Sequence, residues 1–286
     1  MADRRILAVN GVALCAETFG DPSTPPVVLL GGATSSMDWW RDEFCERLAA
    51  GGRFVVRYDQ RDTGGSTTSP AGSPDYTADD LLADIVGVLD ALELERAHVV
   101  GVSMGGGMAQ WLALEHPERI ASLTLIATSS GPGGPDDPDL PPSEPRVAEL
   151  FKNPPPPPDW GNREQVIDHL VEDHRPYAGP LGFDADEVRA IAGTVFDRSR
   201  DIEASMTNHW LIEGGGGPLR PRLGEIHART LVMHGTADPM FPLPHGEALA
   251  REIANARLVV IDGMGHEYPP RPAWDVVIDE LLRHTA

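Results

Sequence analysis

The chain has 286 residues, of which 41% are hydrophobic and 23% charged, so it carries enough apolar content to bury a core and is not a disordered chain. Its 23 Lys and Arg against 44 Asp and Glu leave a formal charge of −21, a surface that repels phosphate backbones and anionic lipid and argues against nucleic-acid binding. Two cysteines without paired spacing, Cys15 and Cys45, exclude a disulfide-stapled or zinc-ribbon scaffold.

No apolar run approaches the roughly 20 residues that span a bilayer. The first ten residues hold too short an apolar run for a signal peptide. The expectation is a cytoplasmic protein with both thiols reduced and buried, and no membrane insertion. Length alone fits two units or one larger α/β domain.

Ile6–Val9 and Val12–Thr18 flank Asn10-Gly11, a two-residue hairpin signal. Val27–Leu30 reads as a buried strand after Pro25-Pro26. Asp38 is placed to cap a helix through Ala50, with Trp40, Phe44 and Leu48 along one face. Arg53–Tyr58 is a strand, and Gly64-Gly65-Ser66 with Ser69-Pro70 marks a loop. Thr77 and Asp80 form a capping box for a helix to about Leu92. Ala97–Val102 is a strand, Met104–Glu115 a helix and Leu123–Ala127 a strand. This alternation predicts an α/β fold with a mainly parallel, doubly wound sheet.

The composition then changes. From Gly131 to about Leu223 the chain holds Gly-Pro-Gly-Gly-Pro, the run Pro154–Pro158 and Gly214–Gly217, with helical stretches at Glu164–Glu172 and Asp186–Arg198. Such a segment interrupts the strand–helix rhythm. It predicts a helical lid over 131–222 inserted into a core of 1–130 and 223–286, setting substrate choice rather than chemistry. The rhythm resumes with strand Thr230–His234, helix Gly246–Ile253, strand Arg257–Ile261 and helix Trp274–His284.

Gly101-Val102-Ser103-Met104-Gly105 lies where a strand meets a helix. A nucleophile on so sharp a turn needs small neighbours two residues away, and Gly101 and Gly105 supply them. The helix start aims N–H groups at developing negative charge. Serine needs a base, and the base an orienting acid. His266, in Gly263-Met264-Gly265-His266, and Asp238, in His234-Gly235-Thr236-Ala237-Asp238, both follow predicted strands, where open α/β sheets place their sites. Asp262 reads as a loop cap. His98 and His116 read as structural, His234 and His245 either line the site or pack, and His169, His174 and His209, in the lid, face either substrate or solvent. The loop Gly31–Ser36 offers the Ala33 N–H, or that of Gly32, as a partner to Met104 N–H in an oxyanion hole. Trp160, Phe183, Phe196, Trp210 and Leu211 either line an apolar pocket or pack the lid onto the core. No metal or cofactor is called for.

Gly-Val-Ser103-Met-Gly-Gly, Leu-Leu-Gly-Gly-Ala33, Tyr58 to Ser66, the loop at Asp238, Pro244-His245-Gly246 and Gly-Met-Gly-His266 stand in one order. With them the chain resembles the α/β-hydrolase family over nearly its whole length. Within it, the chain looks most like methylesterases of anthracycline tailoring. The resemblance implies a Ser103–His266–Asp238 triad, no cofactor, and hydrolysis of a small-molecule carboxylic ester, polyketide-like or otherwise apolar. Lactonase, perhydrolase and carbon–carbon bond hydrolase chemistry run on the same triad. A silent small-molecule receptor is a further alternative, against which an intact triad argues.

Overall fold

The computed structural model describes residues 3–130, 137–215 and 217–286. Strands β1 (Asp3–Val9) and β2 (Val12–Phe19) pair antiparallel across Asn10-Gly11. Their φ values of 47° and 83° are what a two-residue type I′ turn requires. Strands β3 (Pro26–Leu30), β4 (Phe54–Tyr58), β5 (Ala97–Val102), β6 (Ile120–Ile126), β7 (Thr230–Gly235) and β8 (Ala256–Ile261) complete one eight-stranded sheet. The order is β1-β2-β4-β3-β5-β6-β7-β8, antiparallel at the β1–β2 and β2–β4 pairs and parallel from β4 onward.

The central strands are apolar on both faces because both faces are covered. Val28 and Leu30 point to one core with helices α2 (Ala78–Ala91), α3 (Met104–Glu115) and α8 (Pro244–Glu252). Val27 and Leu29 point to the other, with α1 (Asp42–Ala50) and α9 (Trp274–His284). The capping box forms as expected: Thr77 Oγ1 accepts from Asp80 N–H, and the Asp80 carboxylate accepts from Thr77 N–H at 2.8 Å. Strand β6 starts three residues before Leu123. Its first polar position, Ser122, is buried against His98 Nδ1 at 2.8 Å, so a polar residue there does not end the strand.

Asp38 does not cap α1. It lies in a 3₁₀ turn, Met37–Trp39, and α1 begins at Asp42 after Arg41. The Asp38 carboxylate is occupied elsewhere, by Ser36 Oγ at 2.7 Å and by Arg198. Phe44 and Leu48 still face the core, with Trp40 beside them.

Between β6 and β7 lie α4 (Pro145–Lys152), α5 (Arg163–His174), α6 (Ala185–Arg198) and α7 (Ile202–Thr207). Helices α5 and α6 contain the two stretches expected from sequence, and Asn162 and Asp184 cap them. Their apolar faces share a small core of Val166, Ile167, Leu170, Ala192 and Val195, which reaches Trp39 of the main body. Arg198, at the end of α6, bonds Asp38 and, at 2.5 Å, the buried Asp59. The Gly-Pro-Gly-Gly-Pro run and Gly216 of Gly214–Gly217 fall outside the described residues. Pro154–Pro158 is without helix or strand. Among the described residues no helix is long and apolar enough to cross a membrane. Both cysteines are buried and unpaired.

Candidate active site

Ser103 stands at the corner between β5 and α3 with φ 52° and ψ −119°. A side chain with a Cβ adopts that region only at a cost of about 1–3 kcal/mol, so the surroundings must enforce it. They do so through contacts too close for any larger residue. A Cβ on Gly101 would strike the Gly105 carbonyl, and one on Gly106 would meet Thr128 at 2.6 Å. The Ser103 N–H donates to Ile126 O at 3.0 Å, and its carbonyl accepts from Gly106 N–H, Gly107 N–H and Thr128 Oγ1. The hydroxyl is left free of its own turn and points to His266.

His266 follows β8 in a glycine-flanked loop. Its Nε2 lies 2.9 Å from Ser103 Oγ, and its Nδ1 lies 3.0 Å from Asp238 Oδ2. A carboxylate only accepts, so the neutral ring carries its proton on Nδ1 and offers Nε2 to the serine. Asp238 follows β7 and is 2% exposed. Its Oδ1 accepts from Met240 and Phe241 N–H at 2.9 and 2.8 Å. Burial alone would raise this carboxyl, but His266, His234 and the backbone donor outweigh it and hold it below its ordinary range.

A cleft of about 1150 Å³, including space open to solvent, lies over these groups. Ser103, His266 and Ala33 form part of its floor, and Trp39, Phe151, Phe183 and Trp210 give it aromatic walls. The Ala33 N–H has no partner among the described residues. Met104 occupies the first helical position, whose N–H has no intrahelical acceptor. Gly32, the alternative donor, is not available: its N–H is held by the Tyr268 hydroxyl at 2.9 Å.

A profile described as the alpha/beta hydrolase fold matches residues 25–177, and one described as TAP-like protein matches residues 203–285. The chain is 33% identical to rhodomycin D methylesterase DnrP of Streptomyces peucetius, over 93% of this chain and 92% of that one. The chain belongs to the α/β-hydrolase fold family. It is 26% identical to 3-oxoadipate enol-lactonase 2 of Acinetobacter baylyi, over 90% of this chain and 87% of the relative. The crystal structure of an enol-lactonase from Burkholderia xenovorans superposes with a TM-score of 0.73 at 26% identity, covering 98% of this chain and 99% of that one. As a member of this family the chain is a hydrolase.

The remaining candidates sort by position in this hydrolase. Asp262 accepts from Thr236 Oγ1 at 3.0 Å on an exposed loop, away from His266. His98 sits among the strands, where burial drops its imidazole to about 4. His116 ends α3 beside Glu118. His234 and His245 bond the backbone carbonyls of Phe241 and Pro141 and line no part of the cleft. His174 does line it, stacked on Trp39 at 4.0 Å.

Of the aromatics singled out, Phe183 and Trp210 are on the cleft wall and Trp160 is not. Trp160 meets His169 edge to face at 5.8 Å and packs against the small core of the insert. Phe196 packs there as well. Alternating apolar spacing gave no means to separate an inward from an outward aromatic in this region.

Several cleft residues escaped the sequence reading, Trp39, Phe151, Tyr268 and Glu267 among them. Phe151 meets Trp210 edge to face at 5.8 Å, and only the Val147, Leu150, Phe151 spacing of α4 marked it. Tyr268 holds Gly32, as above. The Glu267 carboxylate accepts from Gly179 and Gly265 N–H at 3.1 and 3.0 Å, and burial raises it above its usual range. It thus ties the insert to the histidine loop, as does the His266 N–H bond to Tyr177 O at 2.8 Å. Among the described residues no three His, Cys, Asp or Glu groups converge to hold a metal ion.

Proposed function

We propose that this hydrolase is a serine carboxylic-ester hydrolase that works through an acyl-enzyme. The observation that carries the reading is the series Ser103 Oγ, His266, Asp238, joined at 2.9 and 3.0 Å on the floor of the aromatic-walled cleft. Ser103 attacks the ester carbonyl while His266 Nε2 takes its proton. Asp238 keeps the other ring nitrogen protonated and stabilises the imidazolium. Ala33 and Met104 N–H groups receive the oxyanion. His266 then protonates the leaving alcohol, and water, deprotonated by the same nitrogen, releases the acid. No cofactor takes part.

The substrate we propose is a methyl or similarly small ester of an apolar, polyketide-like acid. The identity with a rhodomycin D methylesterase and the Trp39, Phe151, Phe183 and Trp210 walls support it. Residues 131–222 act as its lid, with Phe183 and Trp210 as substrate contacts. Two buried, unpaired thiols suit a reducing cytoplasm. A lactone, a cyclic ester, is the second reading, favoured by the likeness to enol-lactonases in sequence and fold.

A fluorophosphonate probe, followed by a hydrolysis screen over esters of graded acyl and alcohol size and over lactones, tests this. The expected result is labelling at Ser103 and preference for a bulky acyl group with a small alcohol. Absence of labelling, or hydrolysis that survives Ser103→Ala, overturns the reading.

A further inference from the structure

The loop after β3 is held in an uncomfortable shape. Thr34, a β-branched residue, has φ 61°. Such a residue in the left-handed region is an outlier that persists only where neighbours over-determine it. Three side chains do so from outside the loop. Gln60 Nε2 donates to Gly31 O at 3.1 Å, and the Tyr268 hydroxyl accepts from Gly32 N–H at 2.9 Å. His209 Nδ1 accepts from Thr34 N–H at 2.9 Å. Ala33 therefore sits between two peptide N–H groups that are each tied down, with its own N–H unclaimed among the described residues.

His209 is the unexpected member. It belongs to the insert, in the 3₁₀ turn Asn208–Trp210, yet it is 5% exposed and lines no part of the cleft. Its Nε2 donates to Arg61 O at 2.9 Å, so the ring spans two loops of the main body. Both bonds form together in one tautomer only, the neutral ring with its proton on Nε2. Asn208 seats the turn beside it: its amide donates to Asp62 Oδ2 at 2.8 Å, and its carbonyl oxygen accepts from Gly72 N–H at 2.8 Å. No role in proton transfer falls to His209, because Ser103 already has its base.

We propose that His209 is a positioning residue for the oxyanion hole: the insert holds the Thr34 peptide and thereby aims the Ala33 N–H at the substrate carbonyl. The inference rests on the serine-hydrolase reading above. It changes the part played by the insert, which then supports the chemistry as well as selecting the substrate.

The test compares His209→Phe, which keeps a ring and loses both bonds, with His209→Gln, which retains an acceptor and a donor. The substrate is p-nitrophenyl acetate, too small to draw on the cleft walls. His209→Phe is expected to lower kcat about 100-fold with KM within about threefold, the order seen when one oxyanion donor is lost. His209→Gln is expected to recover kcat to within about tenfold of the parent. Fluorophosphonate labelling of Ser103 slows in parallel, since that reaction also develops charge on the bound oxygen. Folding is checked by circular dichroism and cooperative thermal unfolding. If His209→Phe does not fold, His209→Met, flexible and without a comparable acceptor, carries the same comparison. A folded variant with a lower melting temperature and kcat within threefold of the parent overturns the inference, because that is what a merely structural residue gives. Ser103→Ala, run alongside, separates the two claims. If it is inactive and His209→Phe is fully active, the positioning role alone fails. If Ser103→Ala is active, the reading beneath fails and the inference with it.

Discussion

The Ser103 turn and the inserted helices face each other across one cleft and are held by different means. The turn is contiguous in the chain: Ser103, Gly101, Gly105 and Gly106 lie within six consecutive positions, and they are held tightly against Leu30, Gly31, Ile126 and Thr128 of the adjoining strands and loops. The insert is assembled at long range. Arg198 reaches back to Asp38 and Asp59, the peptide at Tyr177–Gly179 pairs with the histidine loop, and His209 pairs with Thr34. The turn is held within the main body alone, whereas these bonds couple the cleft wall to the loops that carry His266 and Ala33.

The sharpest break of that comparison comes at the turn. Ser103→Ala is expected to lower kcat about 10⁶-fold on any accepted ester, because the residue acts as a unit with its base. The fold persists, since alanine fits the same turn. Steady-state rates on p-nitrophenyl esters check it, and activity within tenfold of the parent would remove Ser103 as nucleophile.

Next is the acid. Asp238→Asn costs about 10⁴-fold in kcat by favouring the wrong imidazole tautomer, whereas Asp262→Asn changes little. Reversal of that order would move the role to Asp262. The same variant has a pH signature in stability. The folded carboxyl lies below its ordinary 3.8, so its contribution is present above that value and is lost as pH falls through the folded one. The melting-temperature gap between the parent and Asp238→Asn is therefore expected to be fully open above about pH 5 and to narrow only as the pH falls below 3.8, through the lowered folded value. A gap that widens on acidification would contradict the sign.

A smaller effect is expected where the insert meets the main body. Arg198→Met leaves Asp59, fully buried, without its cation, and removing one partner of such a pair costs about 3–5 kcal/mol. Denaturant unfolding measures it. A loss below about 1 kcal/mol, the range of an exposed pair, would show that Arg198 does not anchor α6.

The smallest effect sharpens the comparison within the insert. Trp210→Ala is expected to lower the kcat/KM ratio of a bulky over a small ester by about tenfold, the equivalent of 1.4 kcal/mol of lost contact. Trp160→Ala, off the cleft, leaves that ratio unchanged. Equal effects of the two would mean that the cleft wall does not select substrate.

Sequence alone determined what depends on neighbours in the chain. The hairpin at Asn10-Gly11, the capping box at Thr77 and Asp80, and the helix Trp274–His284 follow from turn chemistry and apolar period, and the helix Met104–Glu115 from the strand–helix alternation. The order of Ser103, Asp238 and His266 on strand-end loops was legible for the same reason, since a strand–helix alternation dictates where a sheet's carboxyl edge lies. Tertiary structure alone decided where long polar side chains go. Asp38 had the spacing of a cap and was claimed by Arg198, 160 positions later. Gly32 had the freedom of an oxyanion donor and gave its N–H to Tyr268, and Trp160 had the composition of a pocket residue and turned inward. His209 was one histidine of several in the insert, with nothing local to mark its bond to Thr34. A hydrogen bond between residues 175 positions apart has no period to betray it, because its partners are chosen by packing and not by the chain between them.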